Sequence, residues 1–349
     1  MSLVDEETQV LHLVHSLDPQ TGGVLSAVIL LDDTLNRLGV SSRVSDDPTI
    51  TPRSEKEWII VHGLWQWPGR RAQKLKNPYL VYPHGMLDPW FKKTYPFKHL
   101  KKQIYWWLKQ GRILRDAHAV CFTTEEERLL GQNTFFPYQA KEIVTGLGVS
   151  TAPGESDDQI ETLKKQFPQL EGKKCLLYLG RFHPKKGVDD LIRAWKNRSH
   201  QEQTMLLLAG PLEERNPWIQ SLQNLAGEDS SILWTGMLEG DRKWGALRLA
   251  NALILPSHQE NYGMVVAEAC SVGLPVYLTY KVNLWREVME AGAGVVEKDT
   301  SAGIQNLINQ WTVTEDENLK DRALHCFKKR LDIEQTANLL IREIKESAV

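Results

Sequence analysis

Short, unbroken apolar runs alternate with stretches of helical periodicity along the chain. In the first half such runs fall at 10–14, 58–61, 79–82, 119–122 and 143–144. Continuous rather than alternating apolar residues are what a parallel sheet covered on both faces requires. Between them lie helical patterns, one starting near Gly23 and ending at Leu38-Gly39, where a glycine suits a helix C-terminus. A polar, turn-rich stretch at 150–158 (STAPGESDD) then interrupts the pattern. The pattern restarts, predicting strands at 175–179, 205–209, 232–234, 252–255 and 275–278. Two consecutive sets predict an α/β protein of two doubly wound, Rossmann-like domains, at 1–152 and 153–330. Residues 331–349 place Ile333, Ala337, Leu340 and Ile344 on one helix face. That face can pack on the second domain or return to the first.

With 349 residues the chain is long enough for two cores, and 42% hydrophobic with 25% charged residues is a globular composition. A formal net charge of -2 argues against a nucleic-acid partner. Twelve tryptophans suit a core, and equally a protein that handles sugars or a membrane interface. Cys121, Cys175, Cys270 and Cys326 lie far apart with no CxxC or zinc-like spacing, so buried free thiols are expected and no metal site. The opening MSLVDEETQV is acidic and lacks the apolar run of a signal peptide. No stretch approaches the roughly 18 apolar residues of a membrane span. A cytoplasmic protein is expected, at most peripheral to the inner membrane face.

Three loops carry candidate chemistry. GRFHPKKG, from Gly180 to Gly187, follows a predicted strand and precedes a helix, placing Arg181 and Lys186 at the mouth of the sheet. Arginine suits bidentate phosphate contact and lysine supplies a mobile point charge; a solvated basic turn is the plain alternative. No GxxxxGK[ST] occurs, which argues against NTP hydrolysis of the Walker type. In DPQTGGV, Gly22 and Gly23 precede a helix and allow backbone to approach a ligand, or are simply a loop glycine pair. In HQENYGMVVAEA, Glu260 sits in a loop and Glu268 one or two turns down the following helix. A carboxylate matches vicinal hydroxyls because both oxygens accept, and the amides of Gly263, Met264 and Val265 at the helix start can hold a phosphate. A surface helix position is the alternative for Glu268.

Together these segments resemble the large retaining glycosyltransferase family 4, whose members have two Rossmann-like domains in the GT-B arrangement facing a central cleft. The resemblance runs through most of the chain and is strongest from Leu179 to Val288. It rests on Glu260 and Glu268 with seven residues between them, on GRFHPKKG, and on LLLAGP at 206–211. It implies that Arg181 and Lys186 bind the donor diphosphate, helped by amides around Gly263, Met264 and Val265. It implies ribose at Glu268, the transferred sugar at Glu260, and the nucleobase at the backbone of Met237 and Leu238. Gly22 and Gly23 match a glycine pair that approaches donor and acceptor, and His84 in YPHGMLD matches the family's active-site histidine. His62, ending the preceding strand, is a weaker candidate. TGLGVS at 145–150 departs from the Asn-Gly-Val-Asp turn of many relatives, which puts acceptor and hinge details in doubt.

The implied reaction is retaining transfer of a hexose from a nucleotide diphosphate sugar, UDP-glucose or another UDP-hexose, to a glycan or lipid-linked saccharide in polysaccharide biosynthesis. No cofactor or metal is required, since cations and amides neutralise the diphosphate. A sugar-nucleotide epimerase and a non-catalytic nucleotide-sugar-binding protein are the alternatives. Residues 90–109 interleave six lysines with aromatics and contain no acidic residue. Either they seat an anionic lipid-linked acceptor at a membrane surface, or Tyr105, Trp106 and Leu108 are helix core and the lysines a solvated face.

Overall fold

The structure, a computed structural model, describes residues 8–18, 23–198, 203–213, 215–314 and 316–347. The chain divides into two compact units, one formed by 1–149 with 333–349, the other by 150–332.

The first unit holds a sheet of β1 (Gln9–Leu13), β2 (Ser41–Ser45), β3 (Trp58–His62), β4 (Tyr79–Tyr82), β5 (Ala119–Phe122) and β6 (Glu142–Val144), in the order β2-β1-β3-β4-β5-β6. Every pairing is parallel. Because side chains alternate across a strand, the apolar runs split cleanly between two cores. Leu11, Leu13, Ile59, Val61, Val81 and Phe122 pack on one face with Trp106, Ile113 and Leu114. Val10, Ile60, Leu80 and Cys121 pack on the other with Leu31 and Leu35 of the helix Gly23–Arg37. The helix Ile333–Glu346 closes this second face, burying Ile333, Ala337, Leu340, Ile341 and Ile344. The C-terminal helix therefore belongs to the first unit, across 183 intervening residues (150–332).

The second unit holds β7 (Lys174–Leu179), β8 (Thr204–Ala209), β9 (Ile232–Gly236), β10 (Ala252–Leu255), β11 (Val276–Thr279) and β12 (Gly294–Glu297). Their order is β12-β11-β10-β7-β8-β9, again all parallel. The chain winds outward from β7 to β9, then returns to lay β10 on the other side of β7. The carboxyl ends of β7 and β10 thus flank the switch point, where open parallel sheets leave a crevice for a ligand.

Two strands lie outside the expectation from apolar runs. β2 is the polar SSRVS at one sheet edge, with every residue only half-buried. β12 is the four-residue GVVE at the edge of the other sheet. Edge strands have one neighbour and need no unbroken apolar run.

Candidate functional site

The switch point of the second unit gathers most of the residues singled out in the sequence. β7 runs into Gly180 and the loop of Arg181 to Lys186; β10 runs into the loop of His258 to Gly263. The loops touch where the amide of His258 donates to the carbonyl of Lys185 at 2.7 Å. Gly187 makes this approach possible. Its φ is +65° and an added Cβ would lie 2.3 Å from the carbonyl oxygen of Pro256, a position only glycine fills.

Lys186 and Glu260 form an ion pair across the two loops. Burial, followed by the charges of Arg181 and Lys185, pushes Lys186 down to about 8, while the pair with Glu260 favours its charged form. Arg181 is exposed at the rim. Glu260 is anchored through its backbone, its amide donating to Lys281 and its carbonyl accepting from Asn283. The helix Met264–Ser271 begins at Gly263, whose φ of +75° turns the chain into it. The first amides of a helix have no acceptor within it, so Met264 and Val265 present N–H groups beside the Lys186–Glu260 pair. One turn further on, Glu268 accepts from Lys243 at 2.7 Å. At the outer end of the sheet, past β9, Met237 is exposed and Leu238 buried.

His258 carries no role in the sequence reading, yet it ties this site together. Its Nδ1 lies 2.5 Å from Asp299, and Nε2 faces Asp190 at 3.9 Å. The hydrogen bond to Asp299 raises its pKa against the opposing effect of burial. Asp190 and Asp299 are distant in sequence from His258 and from each other, so no local pattern announces the cluster. A separate cavity of about 570 Å³ opens near Lys174, Asn251 and Pro275, at the amino ends of β7, β10 and β11. It lies at the opposite end of the sheet from the clustered charges.

In the first unit, His84 follows β4 with a φ of +49°, a strained conformation for a residue with a side chain. The buried carboxylate of Glu127 holds the loop by accepting the amide of Gly85 at 2.5 Å, and it also takes the amide and hydroxyl of Thr123. His62 ends β3 and bonds to His84, with 2.9 Å between His62 Nδ1 and His84 Nε2. Gly23 opens its helix as expected; Gly22 lies outside the described residues.

The segment 90–109 corrects one expectation. Trp106 is core, but Leu108 is 65% exposed, along with Phe97, Leu100 and Trp107. Helical residues three or four apart share a face, so this run leaves an apolar face outward, set among lysines. Beside it, Met86, Phe91, Tyr95, Phe135, Lys98 and Lys102 line a cavity of about 240 Å³. Lys102 sits 4.8 Å from the Trp65 ring, and burial lowers its pKa.

Residues 159–330 match the family described as Glycosyl transferases group 1. The match lies within the second unit. Two curated relatives align with part of the chain. An uncharacterized glycosyltransferase of Methanocaldococcus jannaschii is 25% identical over 146 residues, 40% of this chain. The N-acetyl-alpha-D-glucosaminyl L-malate synthase of Bacillus anthracis is 30% identical over 130 residues, 37% of this chain. The chain spans 37% and 33% of the length of these two relatives. Anabaena HepE, solved in complex with UDP, superposes with a TM-score of 0.75 at 16% identity, covering 98% of this chain and all of that one. That likeness shows the fold, two Rossmann-like parallel-sheet domains of the GT-B class.

Proposed function

We propose that the chain is a metal-independent retaining glycosyltransferase of family 4 that moves a hexose from a UDP-sugar to a glycan or lipid-linked saccharide in polysaccharide biosynthesis. The observation that carries this reading is the meeting of Lys186, Glu260 and the N-terminus of Met264–Ser271 at the switch point of a group 1 glycosyl transferase domain. Cations and oriented amides at that point suit a diphosphate. HepE with UDP supports the uridine donor.

In this reading Arg181, Lys186 and the amides of Met264 and Val265 take the diphosphate, and Glu268 accepts from the ribose. Glu260 turns to the hexose, and the backbone of Met237 and Leu238 meets the base. The bond from C1 of the sugar to the phosphate oxygen breaks while the acceptor oxygen bonds C1 on the same face. The acceptor's proton passes to the departing phosphate. The protein's share is positioning and stabilisation of charge on the leaving group, with His84 near the sugar.

The exposed apolar face of 90–109 supports contact with the cytoplasmic membrane surface, where lysines meet anionic lipid and aromatics enter the interface. Among the described residues no helix is long and apolar enough to cross a membrane.

A screen of labelled UDP-sugars against glycan and lipid-linked acceptors, with excess chelator in parallel, tests the whole reading. Transfer with the α configuration kept and unchanged by chelator is expected. No consumption of any donor would overturn the enzyme assignment, an epimeric sugar formed without acceptor would replace it, and loss with chelator would overturn its metal independence. Flotation with anionic but not neutral vesicles is expected for the membrane face; no binding to either would remove that part.

A further inference from the structure

Three imidazoles run edge to edge along the carboxyl side of the first unit's sheet. His12 Nδ1 lies 2.9 Å from His62 Nε2, and His62 Nδ1 lies 2.9 Å from His84 Nε2. The rings are close to coplanar, with planes within 22° and centroids 5.2 Å apart at both steps. Tyr82 stacks on His62 and His84, its hydroxyl accepting from Thr145. His12 is fully buried, and its Nε2 has no hydrogen-bond partner among the described residues.

Burial lowers all three pKa values, to about 3 for His12 and about 4 for His84, with His62 depressed further by its neighbours' charges. The charged group beside the stack is Glu127, engaged with Gly85 and Thr123; Tyr82 and Cys121 are the other titratable groups packed there. At neutral pH each ring therefore carries one hydrogen.

Two neutral hydrogen bonds in series allow only two arrangements. If the hydrogens point from His84 inward, His12 is left with a buried N–H and no acceptor. If they point outward, His12 keeps only a bare ring nitrogen. Orphaned buried N–H groups are rarer than under-satisfied acceptors, and the tautomer of one nitrogen is set by the bond the other makes.

We propose that His12 and His62 are positioning residues that fix the tautomer of His84, so that its Nδ1 carries the hydrogen and donates toward the substrate side. His12 acts without touching His84, through the ring between them. The catalytic part of this inference rests on the glycosyltransferase reading; the tautomer itself does not.

The test is 15N spectroscopy of the full chain labelled at histidine, near neutral pH. His84 is expected to show a protonated Nδ1 and a bare Nε2. His12→Phe should release it to a mixture of tautomers. His12→Asn should restore it, because the amide N–H stands where His12 Nδ1–H stood. In transfer assays His12→Phe should lower kcat about tenfold, the scale of one lost hydrogen bond. UDP affinity should stay unchanged, and His12→Asn should recover turnover. A parent spectrum with hydrogen on His84 Nε2 would overturn the proposal even if no variant folds. So would a folded His12→Phe protein whose His84 signals match the parent. The expected spectra in a protein that transfers no sugar would uphold the relay and overturn only the transferase reading.

Discussion

Lys243 Nζ lies 2.7 Å from Oε1 of Glu268, joining the helix Gly240–Leu249 to the helix Met264–Ser271. The contact engages one carboxylate oxygen, and in the proposed function the other accepts from the vicinal hydroxyls of the ribose. Glu268→Ala should therefore weaken UDP binding by about 1.5–3 kcal/mol, the range for hydrogen bonds to a charged group. Lys243→Met frees the carboxylate to rotate and should cost about 1 kcal/mol. Isothermal titration with UDP measures both, and a Lys243→Met loss as large as that of Glu268→Ala would assign Lys243 to the ligand instead.

Glu260→Ala should act on turnover more than on donor affinity, with kcat falling about 100-fold, as when one preorganised polar group is removed from a transition state. Steady-state kinetics beside UDP titration separates the two effects. Equal losses of UDP affinity in Glu260→Ala and Glu268→Ala would contradict the division of labour between sugar and ribose.

The lowered pKa of Lys186, about 8, makes donor binding sensitive to alkali. In the proposed function its charged form attracts the diphosphate, so UDP affinity should decline as pH rises through 8 and hold steady below it. Lys186→Met should bind more weakly at pH 7 and lose the decline. Titrations at pH 7, 8 and 9 check this, and a slope that survives in Lys186→Met would place the titrating group elsewhere.

His258 contributes stability that is likewise lost as pH rises. Its pKa is raised by Asp299, so the contribution is full below the unfolded value of about 6.5 and lost as pH rises through the folded value. Asp299→Asn should destabilise the second unit more at pH 6 than at pH 9. Thermal unfolding at the two pH values reads the difference.

Leu340 is fully buried against the first unit's sheet. Leu340→Ala should destabilise that unit by about 2–5 kcal/mol, seen as a lowered unfolding midpoint in denaturant. UDP titration of the folded variant should match the parent, because the residues proposed to bind the donor lie in the other unit.

Ten strands, the restart near residue 150 and the placing of Lys186 and Glu260 in loops after strands and of Glu268 in the helix beyond were legible in the sequence because each rests on local information. A buried parallel strand announces itself as an apolar run, and a loop between strand and helix by its glycines and charges. What escaped reading depends on contacts distant along the chain. β2 is the polar SSRVS and β12 only the four-residue GVVE, both at sheet edges, where a single neighbour does not require a long apolar run. The Asp299 that holds His258 is 41 residues away, and Lys243 reaches Glu268 over 25. His12, inside an ordinary strand run, became distinctive only when β1 and β3 paired. The exposed Leu108 followed from the helical turn and not from its hydrophobicity.

The helix Ile333–Glu346 has a further consequence for how the protein is made. Its apolar face completes the core begun by Val10, Leu31 and Leu35, yet a ribosome synthesises those residues first and the helix last. The second unit, continuous from 150 to 332, has its whole core in hand before the first unit does. The first unit emerges earlier and waits with an uncovered apolar sheet face, the kind of transient exposure that favours aggregation.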